Sequence, residues 1–363
     1  MRRGHFEAIA PVCAVCRGAG VESPLLVGRV VREEGADILE GNLQCSRAEC
    51  QREYPILDGI PILVAGLRAY VSQHIFPLLR RTDLSATMES ILGDCCGPGS
   101  AFDQTRQYLS TYTWGHYSDL DPLEVGNPPL SLLGILEHGL SLAAAPGGTP
   151  VGGPILDAGC SVGRSTFELA ERCAGAEGLV LGIDLSFSML RVASHALRAG
   201  EVRYPRRRVG VVYDERVFPV RFTRPEQVDF WVCDAESLPF PAGTFSLATS
   251  FNLLDCLPSP REHLVSLARV LAPGARAILC TPYDWSPAAT PIEGWIGGHS
   301  QRGPEAGSSA LALRALLTPG AHPASVAGLS LVAESEALSW LLRIHERCAM
   351  QYASHLVVAE RQA

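Results

Sequence analysis

From residue 154 onward, short apolar runs alternate with stretches whose apolar residues recur at helical spacing. The runs predict strands at 154–159, 179–184, 228–233, 245–251 and 275–281, a sixth near 329–334 and a last near 354–360. Helices are expected at 164–174, 187–199, 260–271 and 309–317. Strands alternating with helices imply a mostly parallel sheet covered on both faces. Upstream, Ala65–Arg81 and Ser131–Ala145 carry helical spacing, so residues 67–150 are expected to be a helical linker or lid. A breaker cluster, Cys95-Cys96-Gly-Pro-Gly, and an aromatic run from Tyr108 to Tyr117 lie between them. Residues 201–227 exceed a simple link. They read as a solvated loop, with an RNA grip through Arg203, Arg206, Arg207 and Arg208 as the alternative.

The chain has 363 residues, 47% apolar and 19% charged, enough for a sizeable core. A net charge of −8 argues against a broad nucleic-acid footprint. The longest apolar candidate, Leu130–Pro146, is interrupted by Glu137 and His138, so no membrane helix is expected. The N-terminus lacks a signal-peptide apolar region. Twelve cysteines in that setting favour thiols or metal ligands over disulfides, and a cytoplasmic location.

Residues 1–66 differ from the rest. Cys13 and Cys16 form one knuckle; after a 28-residue gap, Cys45 and Cys50 form another. Paired knuckles beside short strands predict a zinc ribbon, and four thiolates make a closed, structural site. The run Tyr54-Pro-Ile-Leu-Asp-Gly-Ile-Pro makes this part resemble the Trm112-like zinc domain. That resemblance implies a module that serves methyltransferases as partner or appendage, and so a protein partner docking through it.

The first predicted strand ends at Asp157-Ala158-Gly159 and runs through Cys160, Ser161 and Gly163 into a helix at Arg164. A phosphate cradle wants three glycines; here Ser161 takes the middle position. The second strand ends on Asp184, followed by Leu185 and Ser186, and the third on Asp234-Ala235. Acids at three successive strand ends resemble class I S-adenosylmethionine-dependent methyltransferases. The resemblance implies a Rossmann-like α/β fold of seven strands over 151–363, with S-adenosylmethionine as cofactor. It assigns the methionine amino group to Asp157, close cofactor approach to Gly159, tight helix packing to Gly163, ribose to Asp184, the adenine face to Leu185, and the adenine amine and ring nitrogen to Asp234 and Ala235. Cys160, Arg164, Ser186 and Asn252 complete the expected cofactor shell. A doubly wound fold for another nucleotide is the alternative.

The fourth strand runs into Asn252-Leu-Leu-Asp255, and the fifth into Pro282-Tyr283-Asp-Trp285 and then Thr290 to Gly298 with Trp295. These segments resemble the C-terminal methyltransferase domain of ovothiol synthases, which methylates a ring nitrogen of a mercaptohistidine. Asp/Asn-Pro-Pro-Tyr/Phe is absent at strand four, and Asn127-Pro128-Pro129 lies too early to replace it. No His-x-x-x-His-x-Glu occurs among the ten histidines, so carbon–sulfur bond formation is not expected and the acceptor need not be a thiol-histidine. The resemblance implies imidazole N-methylation in a small molecule or peptide. Asn252, Asp255 and Tyr283 are the expected catalytic residues; Tyr112, His116, Tyr117, Trp285 and Trp295 are expected to line the acceptor. An RNA methyltransferase gripping substrate through the zinc module, and a non-catalytic scaffold, are the competing readings.

Overall fold

Helices α1 (Arg3–Ile9) and α2 (Ala14–Gly18) lead into strands β1 (Leu25–Glu34), β2 (Asp37–Cys45), β3 (Glu53–Leu57) and β4 (Ile60–Leu63). The Asp58-Gly59 pair joins β3 to β4 with both residues left-handed, at φ of 50° and 70°. That is the geometry a two-residue hairpin demands, and Asp-Gly satisfies it at low cost. The computed structural model describes residues 1–124, 131–144, 152–173, 175 and 178–362.

Four helices follow: α3 (Leu67–Leu79), α4 (Ala86–Cys96), α5 (Ala101–Tyr117) and α6 (Ser131–Ala143). Ser85 and Ser100 cap α4 and α5, their hydroxyls accepting the Met88 and Asp103 N–H groups at 3.3 and 3.2 Å. Asn127-Pro128-Pro129 and the expected helix end at Ala145 lie outside the described residues.

The alternating part then runs β5 (Ile155–Ala158), α7 (Arg164–Arg172), β6 (Val180–Asp184), α8 (Phe187–Ala199), β7 (Glu201–Val209) and β8 (Val212–Pro219). It continues with β9 (Val228–Cys233), β10 (Phe245–Phe251), α9 (Pro260–Val270), β11 (Leu271–Thr281), α10 (Ser309–Leu316), β12 (Leu329–His345) and β13 (Cys348–Arg361). Every strand and helix expected here is present. The last two strands are far longer than expected and form one ribbon that extends past the sheet.

The sheet order is β1-β2-β3-β4-β9-β6-β5-β10-β11-β13-β12. The run β9-β6-β5-β10-β11 is parallel, with β13 antiparallel at its flank. One core layer packs α9 and α10 on one face; the other places α5 to α8 on the opposite face. From β5 the chain steps to β6 and β9, then returns to β10 on the other side. The order reverses between β5 and β10, and the carboxyl ends there are where open sheets of this kind bind ligands.

Two features depart from the sequence reading. The N-terminal unit is continuous with the main sheet: β4 lies parallel to β9, pairing Ile62 with Val232 and Leu63 with Cys233. Residues 201–227 are not a solvated loop, because Val202, Tyr204 and Phe218 point inward from a β7–β8 hairpin. Nor do the arginines stand free. Arg203 donates to Glu215 at 2.6 Å and to the Leu84 carbonyl at 2.9 Å. Arg206 pairs with Glu124 and with Glu346, the latter at 2.9 Å. Arg207 reaches Gln107 at 3.2 Å, and Arg208 reaches Asp214 at 3.4 Å. Arg206 and Arg343 each lie 5.1 Å from the Trp114 ring centroid. The alternation was hidden because long arginine stems occupy the outward positions.

Candidate functional site

The turn after β5 folds over the end of β6: the Gly159 and Cys160 N–H groups donate to the Ile183 carbonyl at 2.8 and 3.0 Å. Gly163 sits at φ 87°, where a Cβ would come within 2.6 Å of Phe230 and 2.8 Å of Ala193. Only glycine lets α7 approach the sheet so closely. Asp157 is buried. Its carboxylate accepts the Ser165 and Thr166 hydroxyls, both at 2.7 Å, and the Thr249 hydroxyl at 2.8 Å. Burial pushes its pKa up against those three donors. In this structure Asp157 braces the turn through three internal hydroxyls.

Asp184 sits differently. One carboxylate oxygen accepts the Ser161 N–H at 3.0 Å and the other the Ser186 N–H at 2.7 Å, linking the turns after β5 and β6. Burial raises its pKa as well. Leu185 beside it is 48% exposed, a large apolar surface beside the crevice. Its carbonyl accepts the Tyr70 hydroxyl at 2.8 Å, so α3 is tied to this turn. Asp234 accepts the Glu236 N–H at 2.9 Å and is half-buried, while Ala235 is buried and its carbonyl pairs with His263 Nδ1 at 3.0 Å. Cys160 is buried. Arg164 is committed to Asp119 and Glu168, both at 2.9 Å.

Three non-glycine residues at the carboxyl ends of β5, β10 and β11 adopt left-handed backbones: Ser161 at φ 53°, Asn252 at 49° and Tyr283 at 59°. Such conformations cost ~1–3 kcal/mol each and concentrate where ligands bind. The Ser161 hydroxyl and the Asn252 side-chain amide oxygen are also buried without a hydrogen-bond partner. Buried polar atoms are nearly always satisfied. Two orphans at adjoining strand ends mark places that a ligand's amino or carboxylate group would fill, so these residues fit an amino-acid-bearing cofactor.

Residues 156–279 match the family of methyltransferase domains. The chain contains an S-adenosylmethionine-dependent methyltransferase domain. A tocopherol O-methyltransferase described as probable and chloroplastic, from Oryza sativa subsp. japonica, is 45% identical over 15% of this chain and 16% of its own length. The demethylmenaquinone methyltransferase of Lactiplantibacillus plantarum is 31% identical over 39% of this chain and 50% of its own. The chain thus spans at most half of either curated relative. A solved chain from a Haloferax volcanii complex that contains the Trm112 methyltransferase activator is 16% identical, covering 62% of this chain and 88% of that one at a TM-score of 0.36. No described helix is long and apolar enough to cross a membrane.

On the other side of the methyltransferase crevice, Asp255 is 3% exposed and its carboxylate accepts the Asp284 N–H at 2.7 Å. Burial pushes its pKa up. Tyr283 turns its hydroxyl to His355 Nδ1 at 2.7 Å, so its polar end is engaged inside the protein. Trp285 and Trp295 stack with centroids 6.0 Å apart, their N–H groups held by Ser309 at 3.0 Å and the Thr290 carbonyl at 2.8 Å. From α5, half-buried Tyr112 has its phenol pKa pushed up, chiefly by burial. His116 is buried, and burial with the nearby Arg164 guanidinium pushes it down to about 3, so it is neutral. Tyr117 is fully buried and donates to the Val162 carbonyl at 2.8 Å, which makes it a strut for the turn; the acceptor contact expected of it is ruled out by that burial.

The four N-terminal cysteines converge. Cys13 and Cys50 sulfurs are 3.8 Å apart, as are those of Cys16 and Cys45. Four sulfurs at 2.3 Å from one tetrahedral ion lie ~3.8 Å from one another. Tyr54, fully buried on β3, places its hydroxyl 3.2 Å from the Cys13 sulfur. The set therefore fits a zinc ion with an outer partner already in place.

Sequence reasoning overlooked Ser161, Tyr70, Asp284, Tyr352 and His355. Ser161 was visible as the odd residue of the glycine turn. The others reach the site from α3, the segment after β11, and β13, through contacts that no local pattern encodes.

Proposed function

We propose that the protein is an N-methyltransferase acting on an imidazole ring nitrogen of a histidine-derived small molecule or peptide. The observation that carries this reading is Asp255: a buried carboxylate just past β10, fixed on one side by the Asp284 N–H, three residues after Asn252, whose side-chain amide oxygen is buried without a partner.

When bound, S-adenosylmethionine supplies an electrophilic methyl group. Asp184 would hold the ribose hydroxyls, Leu185 the adenine face, Asp234 and Ala235 the adenine edge, and Ser161 with Asn252 the amino-acid end. Asp255 accepts the N–H of a neutral imidazole, which fixes the tautomer and aims the other nitrogen's lone pair. The ring becomes cationic as it is methylated, and an ionised Asp255 stabilises that charge. Holding nucleophile and methyl in line supplies much of the remaining rate. Cys13, Cys16, Cys45 and Cys50 hold a structural zinc in this reading, and the unit they build resembles a Trm112-like partner carried within the same chain.

The RNA alternative loses its support, because Arg203, Arg206, Arg207 and Arg208 are all paired within the fold. Incubation with methyl-labelled cofactor and histidine, thiol-histidines or histidine peptides tests the proposal. Label on a ring nitrogen is the expected result; no ring methylation of any of them refutes it.

A further inference from the structure

Next to Asp255 stands a second carboxylate with no part in holding the ring. Asp284 is exposed at the mouth, and its Oδ2 accepts the Tyr352 hydroxyl at 3.0 Å. Tyr352 comes from β13, where that strand runs beyond the sheet as part of the long ribbon. Its hydroxyl reaches Asp284, whose backbone N–H in turn seats Asp255. Asp255, Asp284 and the Tyr352 phenol thus form one hydrogen-bonded run. The chain has no lysine anywhere, so it has no side-chain ammonium to offer these acids.

The roles divide by position. Asp184 belongs to the ribose, and Asp255 to the ring N–H. A neutral imidazole leaves Asp284 without a counter-charge. The Tyr352 hydroxyl can donate to only one acceptor, and it holds the Asp284 carboxylate in one place at the entrance. We propose that Asp284, positioned by Tyr352, is a specificity-determining residue that selects an acceptor bearing a second, positively charged amino group beside its methylated nitrogen. This rests on the N-methyltransferase reading above. It favours free amines of the histamine or histidine type over imidazoles whose side arm is neutral or anionic.

Calorimetry on full-length protein saturated with S-adenosylhomocysteine tests the selection, with histamine, imidazole-4-acetate, phenethylamine and phenylacetate as probes. Wild type is expected to bind histamine about tenfold or more tighter than imidazole-4-acetate, as one charge-assisted hydrogen bond implies. Asp284→Asn should bring the two together. Tyr352→Phe should weaken histamine binding by a smaller factor, about threefold, and raise KM for a methylated amine with little change in kcat. Adenosylhomocysteine affinity should be unchanged in both variants, which also reports an intact fold. Imidazoles bound regardless of charge, with Asp284→Asn indistinguishable from wild type, overturn the gate and leave the imidazole reading standing. Phenethylamine bound through Asp284 while every imidazole is refused keeps the gate and overturns the imidazole reading. Refusal of all four probes by protein that binds adenosylhomocysteine overturns the gate.

Discussion

The Tyr283 hydroxyl and Nδ1 of His355 form a 2.7 Å hydrogen bond, and the far side of the imidazole bears on its direction. His355 Nε2 lies 3.1 Å from a Glu334 carboxylate oxygen, which Arg314 Nε also reaches at 2.6 Å. Burial alone would raise the Glu334 carboxyl, but the Arg314 and His355 hydrogen bonds outweigh it and hold the group below its ordinary range. An ionised carboxylate only accepts. Nε2 therefore carries a hydrogen; in the neutral imidazole Nδ1 then offers its lone pair and Tyr283 donates. The chain Arg314–Glu334–His355–Tyr283 ends one residue before the Asp284 N–H that seats Asp255.

It follows that His355→Phe should destabilise the fold by ~1–3 kcal/mol, the cost of leaving a buried hydroxyl unpaired. Tyr283→Phe in the same background should recover part of that loss. Urea denaturation of the two single variants and the double variant measures the coupling; strict additivity would show that the bond contributes nothing.

Asp184→Ala should weaken adenosylhomocysteine binding by about 100-fold, since two hydrogen bonds from the ribose to a charged group are lost. The Ser161 N–H would lose its acceptor too, so the turn after β5 should loosen. Titration calorimetry reads the affinity. An unchanged dissociation constant would remove the cofactor site assigned to this crevice.

Asp255→Asn should leave adenosylhomocysteine affinity alone and lower kcat by ~10²–10³, the usual cost of removing one preorganised stabilising group. Burial raises the Asp255 pKa, and only the ionised form accepts the ring N–H. Activity should therefore fall on the acid side at a higher pH than an ordinary aspartate would give. The limb should move or vanish in Asp255→Asn, as a pH–rate profile would record.

His263 is fully buried between the Ser250 hydroxyl and the Ala235 carbonyl, each at 3.0 Å, and burial pushes it down to about 4. Buried His116 is pushed down to about 3. Each binds protons more weakly folded than unfolded. The stability they allow is complete above the unfolded histidine value near 6.5 and is lost as pH falls from there toward the folded values. The slope is ~1.4 kcal/mol per pH unit for each group while it differs between the two states. His263→Gln should flatten the stability curve between roughly pH 6 and 4, as thermal melts across that range would show.

Dialysis against a strong chelator should remove one zinc per chain and lower the thermal midpoint, because a metal bound only by the folded state stabilises it by linkage. Cys45→Ser should reproduce the lower midpoint without chelator. Metal analysis that finds no zinc in freshly purified protein would contradict the assignment.

Much of this was legible along the chain. Acids closing β5, β6 and β9 stand where apolar runs stop, and the paired cysteine knuckles meet as their spacing required. The β7–β8 hairpin was not legible, because its alternation is short and crowded by arginines whose partners lie on α5, on β8 and in the β12–β13 ribbon. Asp157 shows the limit at a single residue. Its place at a strand end was plain, but whether it faced ligand or protein depended on hydroxyls from Ser165, Thr166 and Thr249.

The sequence by itself determined the alternating sheet, the acids at its strand ends and the two paired cysteine knuckles, because these follow from local periodicity and short spacings. Tertiary structure alone decided that β4 extends the methyltransferase sheet beside β9, that the Arg203–Arg208 run is internally paired, and that Tyr352 meets Asp284 above Asp255. Those contacts join segments far apart in the chain. Their energy comes from burial and charge pairing that exist only once the distant partners have been brought together.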